Sequence, residues 1–99
     1  MYQLISEMDL RKVERISKAL SDPNRIKILQ QICKKKAECL YCTEISTSSH
    51  LAQPSISHHI KQLVDADLVI AEKEGREMKY ILNNAVLDEY TKFLETLKI

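Results

Sequence analysis

The amino-acid sequence predicts one small, mainly α-helical domain that carries a single two-stranded β-hairpin. The 99 residues include only one glycine and two prolines, so helices should dominate. Apolar residues recur at helical spacing along most of the chain, and the pattern changes to alternation only between Val69 and Leu82. A chain of this length corresponds to one domain, residues 1–99.

The first two predicted helices are separated by a capping signal. The first covers roughly residues 4–20, where apolar residues lie near helical spacing. The second begins at Pro23, because the Asp22 carboxylate can cap a helix and proline suits the first helical position. Its predicted apolar face repeats every three residues. The members of this face are Ile26, Leu29 and Ile32.

A short third helix is expected from Thr43 and is followed by a polar turn over residues 46–50. The fourth helix should run from about Gln53 to Asp65, with Pro54 in its first turn, which tolerates proline. A buried stripe is expected along this fourth helix. Its members are Ile56, Ile60 and Leu63.

Alternating residues on both sides of Glu74 and Gly75 predict the hairpin, with the single glycine at its turn. Asn83 and Asn84 then cap a last helix. A short helix, a turn, an amphipathic helix and a hairpin form a winged helix-turn-helix. In this motif the second helix lies in the major groove of DNA, and the hairpin reaches the flanking backbone or minor groove.

The predicted fourth helix also has an unusual surface. Between Ile45 and Val64 there is no Asp or Glu, although the chain contains 14 acidic residues and its net charge is only +1. A helical wheel places His58 opposite the buried stripe and His59 nearer its edge. The candidate DNA-binding residues are polar or basic side chains of this helix and of the hairpin. They are Gln53, Ser55, Ser57, His58, Lys61, Gln62 and, at the hairpin, Arg76.

The last predicted helix carries a wide apolar stripe for so small a domain. Its members are Val86, Leu87, Tyr90, Phe93, Leu94 and Leu97. An apolar surface of this size needs a second partner, and another copy of the chain is the simplest one. We therefore expect a homodimer.

Three segments carry a family resemblance: ALSDPNRIKIL at residues 19–29, QPSISHHIKQL at residues 53–63, and the stretch from Asp67 through Gly75 to Leu82. In order and spacing they resemble the ArsR/SmtB winged-helix repressors. The resemblance implies a dimer built on the first and last helices, binding of a double-stranded DNA operator through the helix at residues 53–62, and release by an effector. Asp67 stands where the family commonly has glycine.

The three cysteines, Cys33, Cys39 and Cys42, are the candidate effector thiols. Metal-sensing members of the family carry a Cys-x-Cys pair, but those positions are Tyr41 and Thr43 here, and Cys39 and Cys42 are spaced by two residues. Three interpretations stay open: a site for a thiophilic metal ion, a redox switch, or simple packing as small hydrophobes. No cofactor is required by any of them.

Other functional classes have less support. We find no catalytic triad, phosphate loop or pair of catalytic carboxylates, so the chain is not expected to be an enzyme. The alternative is a winged-helix protein-interaction module that does not bind DNA. Residues 1–7 do not form a basic signal-peptide region, and no apolar run is long enough to span a membrane. The predicted location is the cytoplasm.

Overall fold

The computed structural model describes residues 8–35, 40–41 and 53–99. Within these residues there are four helices: α1 (Leu10–Ala19), α2 (Pro23–Lys35), α3 (Gln53–Asp65) and α4 (Asn84–Glu95). The three strands in the same ranges are β1 (Leu40–Tyr41), β2 (Val69–Glu74) and β3 (Glu77–Leu82). They form one antiparallel sheet in the order β1-β3-β2. The predicted mainly helical fold with a β-hairpin is confirmed.

Two short polar side chains set the starts of α1 and α2. The backbone N–H of Lys12 donates to Asp9 Oδ1 over 2.9 Å, which makes Asp9 the N-cap of α1. The predicted helical start near residue 4 is therefore wrong, since Met8 and Asp9 precede the helix; residues 4–7 lie outside the described ranges. The backbone N–H of Asn24 donates to Asp22 Oδ1 over 2.8 Å, so the predicted cap before Pro23 is confirmed.

Of the other three predicted helices, the structure tests the fourth and the last. The helix expected at Thr43 lies outside the described residues. α3 has the predicted bounds. Asn83 Oδ1 accepts a hydrogen bond of 3.4 Å from the backbone N–H of Val86, which confirms Asn83 as the N-cap of α4.

The core lies between α1, α2, α3 and the inner face of the sheet. Its most deeply buried side chains come from two helices and one connection. They are Ile16, Ile56, Leu63 and Leu68. The predicted apolar face of α2 is only partly correct, because Ile28 and Ile32 are buried whereas Ile26 is 40% exposed. Ile28 and Ile32 are one helical turn apart and so share a face, which a three-residue repeat does not preserve.

The connection from α3 to β2 is a tight helix stop centred on Asp67. The backbone N–H of Leu68 donates to Leu63 O, and that of Asp67 donates to Val64 O, as in a Schellman motif. This motif needs a left-handed residue, and Asp67 has a φ of 63°. An aspartate takes this conformation more readily than most residues other than glycine. Asp67 Oδ2 also lies 3.6 Å from Lys12 Nζ of α1.

The wing, defined as β2, β3 and the turn between them, closes through two residues, Gly75 and Arg76. Glu74 pairs with Glu77 across this turn. Gly75 has a φ of 64°, and a glycine at the first turn position is the requirement of a type II′ hairpin. The predicted use of the glycine at the turn is confirmed. Strand β1 was not predicted, because two residues are too few to show a period.

Candidate nucleic-acid interface

The face of α3 that points away from the core is polar and exposed. The predicted DNA-binding residues on this face are all exposed: Ser55, Ser57, His58, Lys61 and Gln62. Gln53 is the first residue of α3. The opposite face is buried, with Ile56, Ile60 and Leu63 no more than 5% exposed, so the predicted rotation of the helix about its axis is confirmed.

The two adjacent histidines of α3 occupy different environments. His58 is exposed, whereas His59 is 9% exposed. Their ring centroids are 6.0 Å apart and the ring planes are inclined at 57°. Because consecutive residues of a helix are about 100° apart, one ring faces solvent and the other faces the α1–α2 junction. Only His58 can meet a molecule docked on the exposed face of α3.

The charge on the exposed face of α3 is positive or neutral until its last residue. Lys61 Nζ lies 3.2 Å from Asp65 Oδ2, one helical turn further on. Both side chains are more than half exposed, at 70% and 53%. An exposed ion pair contributes little in water, so a phosphate could replace the carboxylate as the partner of Lys61 at small cost.

The two faces of the wing differ in charge. Glu72 and Glu74 alternate with Lys73 along β2, so the two glutamates share one face and Lys73 lies on the other. On the glutamate face, Lys79 Nζ lies 3.6 Å from Glu72 Oε1 and 3.2 Å from Glu74 Oε2. The charge of Lys79 is therefore balanced by carboxylates, and this face repels phosphates.

The wing cations that can contact an anionic partner lie at the tip of the wing. Arg76 is exposed in the turn, where it was predicted. Lys73 is also exposed and stands apart from the glutamate face. Sequence reasoning missed Lys73, although the alternation of residues along β2 indicates that Lys73 lies on the face opposite Glu72 and Glu74.

Arg25 is a second residue that the sequence analysis did not single out. Its guanidinium lies between the C-terminal end of α1 and the buried side of α3, and its side chain is only 14% exposed. Nη1 is 3.3 Å from His59 Nδ1. The arginine stands within the segment at residues 19–29, but no local pattern indicates a contact 34 residues further along the chain.

The structure describes one of the three candidate effector thiols. Cys33 is exposed on α2, and Cys39 and Cys42 lie outside the described residues. In residues 8–35, 40–41 and 53–99, no three side chains of His, Cys, Asp or Glu are grouped so as to hold a metal ion. Over the same ranges, none of the helices has the length and apolar character needed to cross a membrane.

An exposed helix without acidic residues until its end, supported by α1 and α2 and followed by a hairpin with a basic tip, defines a winged helix-turn-helix DNA-binding regulator. Comparison with known proteins agrees. Residues 22–71 match the family described as bacterial regulatory protein, arsR family. The arsenical resistance operon repressor of Staphylococcus aureus is 36% identical over 83 residues, which cover 83% of this chain and 76% of that protein.

Solved structures share the fold. An ArsR-like transcriptional regulator from Rhodococcus has a TM-score of 0.77 at 25% identity, over 88% of this chain and 79% of that one. A homodimeric winged helix-turn-helix DNA-binding domain from Mycobacterium bovis, solved by NMR, has a TM-score of 0.69 at 25% identity, over 88% and 76%. The chain belongs to the arsR family of bacterial regulatory proteins. It is a transcriptional regulator and not an enzyme.

The different environments of the two histidines predict different effects on stability. We expect His59→Ala to lower the free energy of unfolding by roughly 1–3 kcal/mol, because it removes a buried contact to Arg25. His58→Ala should change it by less than about 0.5 kcal/mol. Urea denaturation of both variants measures this difference. The pair is matched, since both substitutions place the same better helix former in α3. Equal decreases would contradict the assigned rotation of α3.

Proposed function

We propose that this chain is a homodimeric repressor that binds a double-stranded DNA operator through the exposed face of α3 and the tip of the wing, and that an effector releases it. The observation that carries the proposal is the exposed surface of α3, which offers short polar and basic side chains and no carboxylate before Asp65. The protein-interaction module without DNA binding is not favoured, because the relatives are operon repressors.

The residues of this interface divide by chemistry. Lys61 and Arg76 are cations at the edges of the proposed contact and suit phosphates. Gln53, Ser55 and Ser57 lie in the first half of α3, which enters the groove most deeply in helix-turn-helix proteins, and suit base edges. His58 and Gln62 can serve either purpose. Lys73 adds a second cation near the wing tip.

A homodimer would bury the apolar residues that a single copy leaves in water. Leu94 and Leu97 on and after α4 are 44% and 63% exposed, and Leu10 of α1 is 73% exposed. α1 and α4 are already joined, since Ser17 Oγ lies 2.9 Å from Tyr90 Oη. We propose that these two helices form the interface of a single-domain protomer; the neighbour from Mycobacterium bovis is itself homodimeric. The two copies of α3 should then lie about 34 Å apart, one turn of DNA.

The effector is proposed to be a thiophilic ion or an oxidant that acts on Cys39 and Cys42, with Cys33 as a third candidate. The relative from Staphylococcus aureus is an arsenical resistance repressor, and soft ions of this kind prefer thiolate ligands. Cys39 and Cys42 flank β1 in the chain, and β1 pairs with β3 of the wing at Leu40↔Tyr80. A change at these thiols would therefore act directly on the sheet that carries the wing.

Salt dependence tests the proposed phosphate contacts. A duplex is first selected from a random library and from the region upstream of the protein's own coding sequence, and its affinity is then measured by fluorescence anisotropy at several salt concentrations. Lys61→Ala and Arg76→Ala should each weaken binding and reduce the salt slope by about one for every phosphate that a protomer no longer neutralises. Lys27→Ala is the control, because Lys27 is an exposed cation of α2, which is proposed to take part in neither the DNA contact nor the dimer interface. An unchanged slope for Arg76→Ala would contradict a role of the wing tip in DNA binding.

The dimer proposal predicts the effect of surface charge on α4. Leu94→Glu with Leu97→Glu should convert a dimer of twice the chain mass into a folded monomer at micromolar concentration, because an interface that buries two like charges per copy is disfavoured. Sedimentation equilibrium measures the mass. Ile26→Glu, at a similarly exposed apolar residue of α2, should leave the dimer intact. A native protein that sediments as a monomer would refute the interface.

The proposed effector predicts a thiol-dependent decrease of operator binding. Arsenite or a mild oxidant should lower the operator affinity of the native protein and leave a Cys39→Ser/Cys42→Ser variant unaffected, because serine forms neither a soft-metal thiolate bond nor a disulfide. A Cys33→Ser variant shows whether the third thiol takes part. Equal responses of the native protein and the double variant would assign these cysteines to packing.

A further inference from the structure

The guanidinium group of Arg25 contacts three parts of the molecule: the end of α1, the α1–α2 turn and α3. Nε donates to the backbone oxygen of Ala19 over 2.7 Å, and Nη2 donates to that of Lys18 over 3.1 Å. Both oxygens belong to the last turn of α1, and Lys18 O also accepts from the backbone N–H and the hydroxyl of Ser21. Nη1 lies 3.3 Å from His59 Nδ1 of α3 and 3.8 Å from Asp22 Oδ2. Arg25 thus fastens α3 to the end of α1.

The contact between Arg25 and His59 requires one protonation state of the histidine. A guanidinium group only donates hydrogen bonds and stays charged throughout the range in which proteins fold. His59 Nδ1 must therefore be the acceptor. This is possible only for a neutral imidazole that carries its proton on Nε2. A protonated ring would have no lone pair at Nδ1 and would bring a second cation to the same place.

We propose that Arg25 is a positioning residue for DNA recognition, which holds α3 in its operator-binding rotation through neutral His59. This inference rests on the proposed DNA-binding function. The apolar stripe of α3 keeps the helix on the core, but hydrophobic contacts are non-directional. The hydrogen bond from Nη1 is directional and reaches the residue next to His58, on the side of α3 away from the proposed DNA face. Without this bond α3 stays folded but is less well oriented.

The affinity test uses full-length variants and the duplex selected for the salt series. His59→Leu and Arg25→Lys should each lower affinity about tenfold, the ratio expected for one hydrogen bond to a charged group. His59→Asn should recover most of the affinity that His59→Leu removes, because its Oδ1 stands near the position of Nδ1 and accepts the same bond. Asparagine and histidine also have similar helix propensities. A His59→Asn variant that binds no better than His59→Leu would overturn the proposal.

A measurement without DNA keeps the test independent of the proposed function. Nitrogen NMR of the native protein at neutral pH should show His59 with its proton on Nε2, and Arg25→Lys should shift the Nδ1 resonance. A proton on Nδ1 would overturn the contact itself. A failure of the proposed function is recognised separately, because the native protein would then retain no duplex in the selection.

Discussion

The burial of one side of α3 is the constraint on which the other features of the molecule depend. Ile56 and Leu63 have no exposed surface, and Ile60 is 5% exposed. Each such side chain contributes about 1.5–3 kcal/mol by leaving water, so no other rotation of the helix competes. Once this side is buried, the opposite side must face solvent. The polar residues of α3 are thereby presented together, and recognition of DNA by a helix needs that arrangement.

Charge then limits how DNA can approach. Glu72 and Glu74 make one face of the wing unfavourable for phosphates, while Arg76 and Lys73 leave its tip basic. The exposed face of α3 carries no carboxylate before Asp65. DNA that contacts α3 can therefore meet the wing at its tip and not along its glutamate face. This distribution explains how a protein with a net charge of only +1 can present a surface for nucleic acid.

Much of the fold was predictable because local signals agree with the tertiary structure. The cap at Asp22, the bounds and buried stripe of α3, and the glycine at the hairpin turn each follow from residues close together in the chain. The errors have physical causes as well. α1 begins at Leu10 because the side chain of Asp9 caps the helix there. The prediction instead followed the apolar spacing of the residues before Asp9. Ile26 is exposed because packing against α3 and the sheet, and not hydrophobicity, selects the buried side of α2.

The proposed interface was predictable to a similar degree. Its α3 residues could be assigned by helical period alone, and the exposure of His58 against the burial of His59 agrees with that assignment. Arg25 could not be found in this way. Its partners are two main-chain carbonyls of α1 and a ring nitrogen 34 residues later, and no local sequence pattern encodes such contacts.

Polar contacts link α1 to α3, to the α3–β2 connection and to α4, and these links bear on the geometry of the proposed dimer. α1 is held to the buried side of α3 through Arg25 and to the α3–β2 connection through the ion pair of Lys12 with Asp67. It is also joined to α4 through Ser17 and Tyr90. If α1 and α4 form the dimer interface as proposed, the orientation of one protomer relative to its partner is transmitted to α3 by directional contacts. The spacing of the two α3 helices is then a property of the dimer, and a change in its packing changes the fit to one turn of DNA.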